Sequence, residues 1–112
     1  MATELERHFG FVLSEMEKAG IKVTKTFRMA GSEYTFDYDR DNQKEYEDDL
    51  AGRADMLRDA MRIVFTACGN HHLIYSPLNC CVRAIINYDC GTIVLNFNTI
   101  EHVLKVGYVV GE

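Results

Sequence analysis

The sequence predicts an α+β domain, an antiparallel sheet of about five strands with two helices on one face, in the order α-β-β-α-β-β-β. Three observations carry this. Apolar residues recur at helical spacing near the N-terminus and again over residues 46–68, and they alternate with a period of two between and after those windows. Glycine, asparagine or aspartate stands where one periodicity gives way to the other. With 112 residues, 47% of them hydrophobic, the chain has the size of one domain, residues 1–112, built around one core.

Thr3 followed by Glu6 is a capping-box signature, because a hydroxyl and a carboxylate at this spacing can satisfy backbone N–H groups that the first helical turn leaves without partners. Leu5, Phe9, Val12, Met16 and Ala19 then form one stripe, and Gly20 can take the left-handed conformation that ends a helix, which predicts a helix over residues 4–19. From Ile21 the period becomes two. Ile21, Val23, Phe27 and Met29 alternate with Lys22, Thr24, Thr26 and Arg28, leaving Lys25 as the one misfit. Ala30, Gly31 and Ser32 make a turn, and Tyr34, Phe36 and Tyr38 alternate with Glu33, Thr35 and Asp37 in the second strand of a hairpin.

Tyr46, Leu50, Ala54, Leu57, Met61, Val64 or Phe65, and Cys68 mark a second helix closed by Gly69 and Asn70. Running unbroken from Asn42 it would be about 40 Å long, more than the roughly 30 Å width of a small domain, so an overhang or a break near Gly52 is expected. Residues 70–79, with Ser76 and Pro77, read as a loop in which His72, Leu73, Ile74 and Tyr75 have the pattern for a brief pairing at a sheet edge. Residues 81–88 and 92–97 are rich in β-branched and aromatic side chains, and Asp89, Cys90 and Gly91 suit a three-residue hairpin loop with Gly91 left-handed. Asn98 and Glu101 have the spacing of a helix cap, yet Leu104, Val106, Tyr108 and Val110 alternate, which favours a last strand.

The first residues lack the basic start and apolar centre of a secretory signal, and no apolar run approaches the roughly 20 residues of a membrane span. A cytoplasmic chain that keeps Cys68, Cys80, Cys81 and Cys90 as free thiols is therefore expected. The element order alone resembles the layout of roadblock- and longin-type scaffold domains, which implies a non-catalytic role.

Charge is segregated. Residues 33–59 hold ten acids and four bases, a net of −6, while the remainder carries +1. On the second helix Glu45, Asp48, Asp49, Asp55 and Asp59 would form a negative ridge suited to a basic protein surface, including that of a nucleic-acid-binding protein whose ligand the ridge would displace. The plainer alternative is a solvated face with intrahelical pairs of Asp49 with Arg53, Asp55 with Arg58, and Asp59 with Arg62.

Three further constellations fit less well. Asp37, Asp39 and Asp41, with Asn42 and Asp48, partly match an EF-hand calcium loop, but Lys44 takes its apolar position and a strand precedes it. Cys68, His71, His72, Cys80, Cys81 and Cys90 cluster late in the chain, yet their spacing matches no zinc module, and cysteine as a small core hydrophobe explains them better. Cys90 would be a nucleophile only if His71, His72 or His102 approached it. His8 and His102 read as ordinary boundary residues. Lys18, Lys22, Lys25 and Arg28 make a modest basic strip that faces a much larger acidic window, so direct nucleic-acid binding is not expected. The expectation is a non-catalytic interaction module or inhibitor with no catalytic residue, no metal and no cofactor. It should be a homodimer, because two helices leave strand edges and residues such as Tyr108 and Val110 poorly covered.

Overall fold

Helix α1 (Glu4–Lys18) starts at its predicted cap: the Glu6 N–H donates to Thr3 Oγ1 at 3.1 Å, and the hydroxyl in turn lies 3.3 Å from the Glu6 carboxylate. It ends at Ala19, where Gly20 takes φ +85° and turns the chain into the sheet. In this computed structural model, residues 3–28, 31–38, 50–76 and 78–111 are described. Strands β1 (Ile21–Arg28) and β2 (Gly31–Tyr38) form the first hairpin, paired from Ile21↔Tyr38 to Arg28↔Gly31.

Helix α2 (Leu50–Cys68) runs through Gly52 without a break, so the expected interruption there does not occur. Its predicted beginning, residues 42–49, lies outside the described residues. Four strands follow: β3 (His71–Ser76), β4 (Cys81–Tyr88), β5 (Gly91–Asn98) and β6 (Val103–Val110). The sheet therefore has six antiparallel strands, one more than predicted, in the order β1-β2-β6-β5-β4-β3. The added strand is β3, in the segment read as a loop. It pairs with β4 from His71↔Ile86 to Ser76↔Cys81, and Leu73 and Tyr75 pack against the core while Ile74 stays exposed.

Two turns also differ from expectation. Tyr88 pairs directly with Gly91, so the β4–β5 hairpin has a two-residue turn, Asp89 and Cys90, and Gly91 is the first residue of β5. After β5, the Asn98 carboxamide accepts from the N–H groups of Ile100 and Glu101, capping a tight turn rather than a helix. The strand reading of β6 holds.

Helix α1 packs on β1 and β5, helix α2 on β3 and β4, and the helices touch each other. Between them and the sheet lie Val12, Met16, Leu57, Met61 and Phe65 against Ile86, Ile93, Leu95, Phe97 and Leu104, all fully buried. Each such side chain contributes about 1.5–3 kcal/mol by leaving water. Among the described residues the opposite face of the sheet carries no helix, and it displays Lys22, Arg83 and Lys105.

The pairing of β2 with β6 is short. Its register covers Tyr34↔Leu104 and Thr35↔Val103, with one further backbone hydrogen bond from the Phe36 N–H to the His102 carbonyl at 3.0 Å, whereas β5 accompanies β6 along its whole length to Val110. On the helix side Phe9 bridges the two strands, with edge-to-face ring contacts to Tyr34 at 5.5 Å and Tyr108 at 6.0 Å.

Candidate functional site

Of the predicted acidic ridge, Asp55 and Asp59 are described, and Glu45, Asp48 and Asp49 lie outside the described residues. Arg58 meets Asp55 at 3.3 Å and Asp59 at 3.5 Å, and Arg62 meets Asp59 at 3.8 Å. The intrahelical pairs that the i,i+3 spacing suggested are therefore present. The Arg58 side chain is 26% exposed against 44% and 49% for the two aspartates, because its guanidinium lies over the Tyr75 ring at 4.7 Å. The base is drawn inward and the carboxylates stand outermost. In the calcium-like run, Asp39, Asp41, Asn42 and Asp48 are outside the described residues; Asp37, in β2, accepts from the Tyr38 N–H.

The late cysteines and histidines are not brought together. Cys68 is buried at the end of α2, where burial and, secondarily, the Glu15 charge push its thiol up to about 11. Cys80 is buried at φ +48°, and its carbonyl accepts from both the N–H and the hydroxyl of Thr99. Cys81 points to the other side of the sheet and donates its thiol to Asn96 Oδ1 at 2.6 Å; burial raises its pKa, and Arg83 opposes that. His71 lies 2.6 Å from the Gly69 carbonyl, and His102 3.2 Å from that of Phe36. All four cysteines are free, and the zinc set considered from the sequence does not assemble.

A different set does. Glu4, His8 and Cys90 each present a ligand atom within 4.8 Å of the other two, and they are the only such group of three among the described residues. Glu4 and His8 are one turn apart on α1 and so share a face. Cys90 sits in the β4–β5 turn, its carbonyl held by the Gly111 N–H at 2.9 Å. The next residue, Gly91, has φ +149°, and a Cβ there would meet the Val109 carbonyl oxygen, the Gly111 nitrogen and Leu5 Cδ1, so only glycine leaves room for the close packing of this turn against α1 and β6. The His8 ring lies flat on Tyr88, centroids 3.9 Å apart and planes 13° off parallel. The Tyr88 hydroxyl is buried with no hydrogen-bond partner among the described residues, and burial, then the charges of Cys68 and Cys90, push its pKa up to about 12.

The imidazole that meets Cys90 is thus His8, in place of the His71, His72 or His102 considered from the sequence. Among the described residues no hydrogen bond or ion pair joins Glu4, His8 and Cys90 to one another. Beside them opens a cleft of about 430 Å³ lined mainly by apolar surface of Leu5, Tyr108 and Val110, with Cys90 on its wall. The Glu4–His8 spacing was readable in the sequence; the arrival of Cys90 was not. No protein-family model, curated protein or solved structure matches this chain.

Proposed function

We propose that the protein is a non-catalytic interaction module whose acidic surface, comprising Glu45, Asp48, Asp49, Asp55 and Asp59, docks a basic partner. The observation that carries this reading is the concentration of negative charge in residues 33–59, a net of −6 against +1 elsewhere. The outward position of Asp55 and Asp59 around an inward Arg58 supports it, as does Ile63, 59% exposed one turn beyond Asp59. An apolar residue rimmed by charge is the usual anatomy of a docking surface, and the charge steers encounter. A partner whose own ligand is nucleic acid would be inhibited by competition, since the carboxylates would occupy its phosphate-binding groups.

The module works as a homodimer in this reading. The edge of β6 beyond Leu104 has no pairing with β2, and Tyr108 and Val110 are 41% and 76% exposed along it, which suits a second copy. Free thiols fit a reducing, cytoplasmic setting. No helix among the described residues is long and apolar enough to cross a membrane.

The test is a pull-down at low and high salt, followed by association kinetics with the captured partner. Changing Asp48, Asp49 and Asp55 to Asn should slow association and flatten its salt dependence while leaving the fold intact. An unchanged on-rate and salt slope would reduce the ridge to a solvated face. Light scattering at micromolar concentration should give twice the 12.8 kDa chain mass, and a monomer mass would remove the dimer.

A further inference from the structure

We propose that Glu4, His8 and Cys90 form a binding site for a zinc-class divalent cation, with the fourth coordination position open to the neighbouring cleft. The site goes beyond the interaction reading: its three ligands lie outside the acidic surface, and only the cleft beside it shares Tyr108 and Val110 with the dimer edge. Its donor set is a carboxylate, an imidazole and a thiolate, which are the three ligand types that zinc takes, and three protein ligands with one open position describe a reactive or exchangeable site rather than a closed structural one. Calcium and magnesium prefer oxygen ligands throughout, so sulfur and nitrogen donors argue against them.

The geometry is close to what such an ion needs. Metal–ligand bonds of about 2.0–2.3 Å place tetrahedral ligand atoms roughly 3.5 Å apart. A spread of up to 4.8 Å closes by side-chain rotation, and Glu4, which is exposed, has the freedom to make it. The other two donors are held in advance. Stacking on Tyr88 fixes the plane of the His8 ring, and the pairing of Gly91 with Val110 and the Gly111 hydrogen bond fix the Cys90 backbone. Three ligand-type side chains thus converge within reach of one ion without bonding to one another. On binding, the Cys90 thiol proton goes to solvent, the neutral His8 ring donates one nitrogen lone pair, and Glu4 one oxygen. The cation then ties α1 to the β4–β5 turn and stabilises the folded chain by mass action.

Metal-free protein, kept reduced with a non-chelating reductant, is titrated with Zn²⁺ and separately with Co²⁺. One equivalent should bind, cobalt should show thiolate-to-metal charge-transfer absorption, and zinc should raise the melting temperature and slow alkylation of Cys90. Cys90→Ser should abolish the cobalt band, whereas Cys81→Ser should leave it unchanged. His8→Ala should weaken zinc binding by about 100-fold or more, since loss of a ligand exceeds the 10–100-fold effect of its supporting groups. Glu4→Gln, at an exposed position that cannot disturb the core, should weaken it by about 10-fold or more. The proposal is overturned by absence of stoichiometric binding, by a cobalt band that follows Cys81, or by unchanged affinity in both Glu4→Gln and His8→Ala.

Discussion

Replacing Gly91 with alanine should be among the most damaging single-methyl additions to this chain. A Cβ there would fall well inside van der Waals distance of the Val109 carbonyl oxygen and 3.0 Å from both the Gly111 nitrogen and Leu5 Cδ1. Two of these three neighbours are backbone and cannot swing aside, so the Gly91↔Val110 end of the β5–β6 ladder must separate. The φ of +149° adds strain that any L side chain would feel. Overpacking costs about 1–3 kcal/mol and backbone strain about 1–3 kcal/mol more, together about 2–6 kcal/mol of a total stability of about 5–15 kcal/mol. Gly10 supplies the opposite case: it lies in α1, exposed, and a Cβ there meets nothing within 4 Å. Gly10→Ala should stabilise by about 0.5–1 kcal/mol through helix propensity. Urea unfolding followed by circular dichroism, with unchanged m-values, measures both. A loss below about 1 kcal/mol in Gly91→Ala, or the same sign for both variants, would refute the steric argument.

Phe65→Ala should cost about 3–5 kcal/mol in the same assay because the ring is fully buried, while Ile63→Ala, two residues away but exposed, should stay within about 0.5 kcal/mol. Asp59→Asn removes pairs to Arg58 and Arg62 whose side chains are partly solvated, so it should cost less than about 1 kcal/mol, and a larger loss would show the pairs to be structural. Alkali should destabilise the chain over a defined window. The Cys68 thiol ionises near 9.0 when unfolded and near 11 when folded, so the stability it confers is complete below pH 9 and is lost progressively as pH rises toward 11; Tyr88 follows between 10 and about 12. Each loss is on the order of 2 kcal/mol. Urea midpoints that match at about pH 8 and about pH 11, in reductant, would contradict this, and Cys68→Ala should remove the earlier part of the decline.

What the sequence made legible was local. Helix α1 could be read because its cap, its stripe and Gly20 all fall within one stretch of chain, and the pairs of Asp55 with Arg58 and Asp59 with Arg62 followed from one helical turn of spacing. Strand β3 was legible only as a brief edge pairing of residues 72–75 within a loop, because six residues between Gly69-Asn70 and Pro77 carry too few alternations to outweigh their flanks; β4 alongside makes them a full strand at the sheet edge. The length of the β4–β5 turn depended on whether Gly91 belongs to the turn or to the ladder, which is decided by its approach to Val109 and Leu5. The same approach brings Cys90 to His8, and so His8 read as a boundary residue. Contacts between elements far apart in the chain leave no periodicity to detect.

The two-position pairing of β2 with β6 divides the sheet into unequal plates, the β1–β2 hairpin and the β3–β6 meander, joined at a narrow seam. Helix α1 lies across that seam as a clasp, resting on β1 from one plate and β5 from the other, with Phe9 as its pin between Tyr34 and Tyr108. Few backbone hydrogen bonds must break for the hairpin to swing free, so its amides should exchange with deuterium through a partial opening that leaves the meander protected. Loosening the pin should widen that opening, and a ligand that fastens α1 to the meander should leave the hairpin as the one plate still able to move.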